Sequence, residues 1–299
     1  MVDYIYLGLY RGFRGLLRLL STGAIIALMR GLASFAYRVG GRHRHIIKSN
    51  LNLAFGNSLS DEEIDTIGRA SYTNLLDTIF GIMRRDGIDR DKVIESITFE
   101  GEEILQRAIE SNQKIIFVTG HYGNWELVSQ ALAIRFDLEL VGVGRKLDSE
   151  LMDRVLKENR ERFNVEMVYK KGAMKGCIKA LNSNKAVGIL IDQSLPPAQG
   201  IEVEFFGHRA THTSLASILA RRYESDLIPV FIHTDDYIHY YTTIYPPIPY
   251  QKSDDLEADI VAMTQAQANM MEGIIRQDPK QWFWQHKRWK VFYREMYQR

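Results

Sequence analysis

Lys114 to Leu127 read KIIFVTGHYGNWEL, and the fold hinges on this stretch. Ile115, Ile116, Phe117 and Val118 make an unbroken apolar run of β-formers, the mark of a short buried strand. Gly120 stops the strand. From Trp125 to Leu132 the chain reads as a helix, with Asn124 at its N-cap. Strand, glycine turn and helix together put His121 at the carboxyl end of a strand, where open α/β sheets build their sites. Glu126 follows five residues later. On one continuous helix, positions five apart point about 140° apart. The turn breaks the helix, so the sequence predicts that Glu126 folds back onto the imidazole. A carboxylate on one ring nitrogen fixes the tautomer and leaves the other nitrogen free to take a proton. For a lone histidine the plainer reading is a cap on the strand end.

The flanking chain repeats the strand-then-polar pattern. Leu138 to Val143 predicts a second strand ending at Gly142-Val143-Gly144-Arg145. The third glycine of a dinucleotide fingerprint is missing there. Arg145 is either a surface arginine or a planar fork for a phosphate or oxyanion. A helix over 149–163, a strand over 165–169 and a helix after Gly172 follow. Ala186 to Ile191 is a third apolar strand, ending at Asp192-Gln193-Ser194. Asp192 either orients a catalytic group or caps the loop. Upstream, Ser60 and Glu63 form a capping box that opens a helix to about Arg85. Residues 86–98 read as a polar connection and 102–110 as an amphipathic helix. Downstream, a helix over 213–223, an antiparallel hairpin of 227–233 with 237–245, and a long helix over 255–276 are expected.

The chain has 299 residues, 45% of them hydrophobic and 25% charged, with a formal net charge of +1. That balance does not point to nucleic-acid binding. The charge is uneven, however. Residues 1–50 hold eight Lys and Arg against the single acid Asp3, a local excess of seven. Leu19 to Met29 is the longest uncharged N-terminal run, eleven residues, and a membrane span needs about 20. Tyr4, Tyr6, Tyr10 and Phe13 accompany Arg11, Arg14 and Arg18, a composition suited to the headgroup zone. The expectation is one or two helices lying in a membrane surface. The alternative is a basic helix docked on the protein's own core. The lone Cys177 reads as a small buried hydrophobe. The histidines have no zinc-ligand spacing, and there is no G-x-S-x-G elbow.

HYGNWEL resembles the H-x4-D/E signature of glycerolipid acyltransferases, in the form seen in the lipid A biosynthesis acyltransferase family. Further pieces resemble that family in the same order: GRK at 144–146, the basic-GAM turn ending at Met174, DQ at 192–193, FFG at 205–207 and the tail PKQWFWQHKRWK at 279–290. The likeness runs from about residue 5 to 293. Ser194 departs from the acid common in the family. The resemblance implies one α/β domain over 46–299, a mixed β-sheet wrapped by helices, after a membrane-binding helical segment over 1–45. It implies transfer of a fatty acyl chain from an acyl thioester to a hydroxyl of a lipid A precursor, in lipopolysaccharide synthesis. His121 would be the base, assisted by Glu126. Arg145, Asp192, Gln193 and Asn124 would bind substrate or an oxyanion.

Neither cofactor nor metal is implied; acyl carrier protein or coenzyme A carries the acyl group as co-substrate. The implied partners are the carrier protein, the glycolipid acceptor and the anionic inner leaflet. The implied place is the cell inner membrane, held peripherally or monotopically, with the site facing the cytoplasm. Phe205 and Phe206 are expected to line an acyl pocket or pack in the core. Trp282, Trp284 and Trp289, with Lys287, Arg288 and Lys290, have the composition of a second membrane-interface patch. Two other readings stay open: an acyltransferase on another membrane glycolipid or a lysophospholipid, and a membrane-binding protein that keeps the fold without catalysis.

Overall fold

A computed structural model describes residues 2–298. The chain opens with α1 (Val2–Leu19) and α2 (Thr22–Val39). Between them Ser21 caps α2, its hydroxyl accepting from the Ala24 N–H at 3.3 Å. α3 (Gly41–Phe55) and α4 (Asp61–Arg85) follow. The predicted capping box is present on α4: the Glu63 N–H donates to the Ser60 hydroxyl, and the Ser60 N–H donates to the Glu63 carboxylate. Residues 86–98 are more structured than their polarity implies. They hold α5 (Arg90–Ile94) and the start of β1 (Ile97–Glu100).

The rest alternates: α6 (Glu102–Glu110), β2 (Ile116–Thr119), α7 (Trp125–Phe136), β3 (Leu140–Gly144), α8 (Glu150–Arg160), β4 (Val165–Tyr169), α9 (Ala173–Asn182) and β5 (Ala186–Leu190). A hairpin of β6 (Ile201–Phe205) and β7 (His208–His212) leads to α10 (Leu215–Tyr223), β8 (Leu227–His233), β9 (Tyr240–Ile244) and α11 (Leu256–Gln277). The sheet is mixed, in the order β1-β9-β8-β2-β5-β3-β4. β8 and β9 pair antiparallel and the other neighbours are parallel.

Helices cover both faces, which is why the central strands are apolar on both sides. On one face Phe117, Leu140 and Val165 pack with Val128 and Leu132 of α7. On the other, Val118, Val141 and Ile189 pack with Cys177 of α9, Leu219 of α10 and Met271 of α11. Cys177 is fully buried as expected, and burial pushes its thiol up to about 11.

The N-terminal segment is integrated with this core. Ala33 and Tyr37 of α2 belong to the main apolar cluster, and Leu17, Ile25 and Met29 pack around Phe80 of α4. Two of its arginines also turn inward: Arg14 pairs with Asp86, and Arg18 donates to the Asp86 carbonyl at 2.8 Å. The outer face is nevertheless apolar, with Tyr4, Ile5, Leu9, Leu19, Phe35 and Val39 each more than half exposed. Among the described residues, no helix is long and apolar enough to cross a membrane.

The C-terminal tryptophans do not form a surface patch. Trp282, Trp284 and Trp289 are among the most buried side chains, and Arg288 is fully buried beside them. Phe205 stacks on Trp289 with centroids 5.7 Å apart, and Phe206 packs edge-on against Trp284. Arg288 lies over the Phe205 ring and donates to the Thr211 carbonyl at 2.5 Å. These aromatics are core. None of them lines the cavity described below.

Candidate active site

β2 and β5 are neighbours in register, with Thr119 opposite Leu190. Their carboxyl ends therefore emerge side by side, carrying His121 and Asp192. The turn after β2 is held from below by the chain after α11. The Gly123 N–H donates to the Gln281 carbonyl at 2.9 Å, and the Phe283 N–H donates to the His121 carbonyl at 3.0 Å. Gly123 has φ 54°, and a Cβ there would lie 2.0 Å from the Ile232 carbonyl oxygen, so only glycine passes. The Ser71 hydroxyl of α4 fastens the same segment, donating to the Trp282 carbonyl at 2.7 Å.

Asp192 is the carboxylate that holds His121. Its Oδ1 lies 2.7 Å from His121 Nδ1, and its Oδ2 accepts from the His121 backbone N–H at 2.9 Å. Trp282 Nε1 donates to the same Oδ2 at 2.9 Å. Asp192 is buried, and burial alone would raise its carboxyl. The His121 charge and these hydrogen bonds outweigh that and hold it well below the usual carboxylate range. For His121, burial disfavours the charged form, but the Asp192 carboxylate and its hydrogen bond prevail, with Glu126 adding in the same sense. The net shift is upward from 6.5. With Nδ1–H committed to Asp192, Nε2 presents a lone pair, and the Gln193 side-chain amide donates towards it at 3.2 Å. This is a base with a fixed tautomer.

Glu126 does not fold back onto the imidazole. Arg160 of α8 takes it in a two-pronged pair, Nε to Oε2 at 2.7 Å and Nη2 to Oε1 at 2.5 Å. Both side chains are largely buried. Glu126 acts on His121 only through its field. The reason is geometric: Glu126 sits in the first turn of α7 facing α8, while Asp192 approaches from the adjacent strand. Arg145, expected at the site, lies at the cavity mouth, 80% exposed and 3.3 Å from Asp148. Arg160 is the arginine inside. Asn124 is fully buried and occupies the N-cap position without capping α7. Its amide donates to Asp77 Oδ2 at 2.8 Å, on the side of Tyr240, so it supports the turn and does not line the cavity described below.

Arg160 and Trp282 belong to this group but are not among the site residues the sequence points to. Arg160 was detectable: it shares the inward face of α8 with Asp153, seven residues earlier, and a guanidinium there needs a carboxylate. Trp282 carried no local signal.

A cavity of about 500 Å³ opens beside this group. His121, Gln193, Glu126 and Arg160 stand at its polar end, and Phe117, Val128, Leu132, Leu140 and Val165 line its interior. Trp125 and Phe283 flank the imidazole, with ring centroids 5.0 and 6.0 Å away. No cluster of three or more His, Cys, Asp or Glu side chains able to hold a metal ion occurs among the described residues. An oriented base at the mouth of an apolar cavity suits deprotonation of a hydroxyl next to a hydrocarbon chain.

Residues 1–291 match the family described as bacterial lipid A biosynthesis acyltransferase. The chain belongs to that family. It is also 23% identical over 261 residues to a phosphatidylinositol mannoside acyltransferase of Mycolicibacterium smegmatis, covering 86% of this chain and 82% of that one. A 1-acyl-sn-glycerophosphate acyltransferase, PlsC from Thermotoga maritima, superposes over 85% of this chain and 95% of its own, with 13% identity and a TM-score of 0.37. As a member of the acyltransferase family the chain transfers acyl groups onto a lipid.

Proposed function

We propose that the protein moves a fatty acyl group from a thioester donor to a hydroxyl of a lipid A precursor, with His121 as general base. The observation that carries this reading is the His121–Asp192 pair at the mouth of the apolar cavity. As the acceptor oxygen attacks the thioester carbonyl, its proton passes to His121 Nε2. A carbon–oxygen bond forms and the carbon–sulfur bond breaks. His121 then gives the proton to the departing thiolate. No covalent acyl-enzyme is needed. Asp192 holds the tautomer and stabilises the imidazolium. Gln193 occupies the place the acceptor hydroxyl would take and swings aside to admit it.

Arg160 serves the oxyanion. Glu126 occupies its Nε and Nη2 and fixes the plane of the fork, and Nη1 is left to donate to the developing negative charge. Arg145 and Lys146 after β3, with Lys170 and Lys171 after β4, surround the mouth with positive charge, because β3 and β4 pair in register. That cluster suits an acidic carrier protein or a phosphorylated acceptor. The apolar outer face of α1 and α2, with exposed Arg11, Arg38 and Arg42 nearby, suits the cytoplasmic surface of the inner membrane.

A second acceptor class is favoured by the relative from Mycolicibacterium smegmatis, whose name specifies a mannolipid. Mass spectrometry of lipids from cells with and without the protein separates the two. Loss of one acyl chain from lipid A supports the first reading, and loss from a mannolipid supports the second. An unchanged lipid profile overturns both.

A further inference from the structure

The cavity exists because the sheet lacks side chains at one place. Gly188 of β5 pairs with Phe117 of β2 on one side and with Gly142 of β3 on the other, and Gly142 pairs with Met167 of β4. Register partners point to the same face. All four residues line the cavity. Between Phe117 and Met167, three strand spacings or about 14 Å apart, that face is bare backbone. One residue pair toward the strand ends lie Leu190 and Gly144, beside His121. One pair toward the strand starts lie Leu140 and Val165, which are buried and close the far end with Leu132 of α7. The resulting trough runs about 13 Å along the strands.

A glycine inside a strand usually marks a bulge or a close approach. Here the strands are regular, and α7 does not press on the glycines. A Cβ at Gly188 would meet Leu140 Cδ2 at 3.6 Å and Ser129 Oγ at 3.9 Å, ordinary contacts; one at Gly142 would meet only the flexible Met167 side chain, at 3.1 Å. The protein packing therefore tolerates a methyl at Gly188, and what the glycines keep free is cavity.

We propose that the register-paired Gly142 and Gly188 are the chain-length selector: they hold open the trough that takes the donor's hydrocarbon tail, and the Leu132–Leu140–Val165 wall sets the longest tail accepted. This rests on the acyl-transfer reading above. Adding bulk at the glycines shortens the preferred chain, and removing it from the wall lengthens the preference.

The test measures thiol release from coenzyme A and acyl carrier protein thioesters, hexanoyl to stearoyl, with a lipid A precursor as acceptor, by the full-length protein and its Gly188→Ala and Val165→Ala variants. In Gly188→Ala, kcat/KM falls most for the longest donors, by about 10–200-fold per methylene that no longer fits, and the loss fades toward the shortest. In Val165→Ala the optimum moves to longer chains. Where Gly188→Ala is not recovered folded, Val165→Ala decides alone. Turnover with one unchanged chain-length profile in wild type and variants overturns the selector and leaves the acyl-transfer reading standing. No thiol release from any donor by the wild type overturns that reading, and the selector with it.

Discussion

In the proposed mechanism the chemistry depends on His121, and the Asp192 carboxylate is the main group that raises its pKa. Because the carboxylate raises the imidazole above 6.5, the neutral base forms only above that raised value, and kcat/KM should climb with pH through it. His121→Ala should remove turnover. Asp192→Asn should cost about 10²–10⁴-fold. It should also move the acidic limb to lower pH, since burial then acts on the imidazole without its opposing anion. A merely structural Asp192 would lower the rate and leave the limb in place. Glu126 makes the contrasting case. Glu126→Gln should shift the limb less than Asp192→Asn, because it raises His121 through space alone. Its main effect should be coupled to Arg160: Glu126→Gln and Arg160→Gln should each cost activity, and the double variant should lose less than both losses added. A fully additive double variant would separate the two residues. Arg145→Lys, by contrast, should leave kinetics unchanged, since an exposed mouth residue contributes charge and no fork.

Elements with strong local patterns were legible in the sequence. The apolar runs at 115–118, 186–190 and 227–233 are strands because helices cover both faces, and the α4 cap was written in Ser60 and Glu63. The misreadings share a physical cause. β1 is a short edge strand whose partner, β9, lies more than 140 residues on; its four residues, Ile97 to Glu100, carry too short a pattern to mark a strand without that pairing. The sequence points to Glu126 before Asp192 because spacing along the chain is visible and strand order is not. Only the adjacency of β2 and β5 brings Asp192 to His121. The tryptophan tail has a composition that fits a membrane interface and a core equally, and packing against Phe205 and Phe206 decides it. The same tail carries a test of stability. His286, partly buried near Arg288, accepts the Ser194 N–H at 2.9 Å in its neutral form, and desolvation lowers its pKa from 6.5 to about 4. The unfolded chain therefore binds the extra proton first as pH falls. Stability from this group is present above 6.5 and is lost as pH drops toward 4, at most about 3 kcal/mol. Chemical denaturation at a series of pH values should show that slope, and His286→Gln should flatten it.

At the scale of the whole molecule, the face bearing α1 and α2 is an asymmetric surface on a chain of near-neutral net charge. The apolar residues Ile5, Leu9 and Leu19 of the α1 region and Phe35 and Val39 of α2 point outward, while Leu17, Ile25, Ala33 and Tyr37 point into the protein. An exposed apolar face of this kind ordinarily marks an interaction site. Not every arginine is free to serve it. Arg14 and Arg18 are committed to Asp86 and its carbonyl, so reversing them would break the docking of α1 onto the core. Deleting residues 1–40 would likewise strip Ala33 and Tyr37 from the main cluster and measure folding instead of binding. The informative variant is Arg11→Glu, Arg38→Glu and Arg42→Glu together, all exposed side chains. Each Lys or Arg near an anionic leaflet contributes about 1 kcal/mol. The triple reversal should therefore weaken binding to phosphatidylserine-containing vesicles by at least about 100-fold and change binding to neutral vesicles little. High salt should weaken wild-type binding to the anionic vesicles, because the surface term is screened. Leu9→Asp with Phe35→Asp should instead weaken binding to both kinds of vesicle, since the lost term is apolar burial. Equal binding of all three proteins to anionic vesicles would remove the membrane from this face and leave its apolar stripe to another partner.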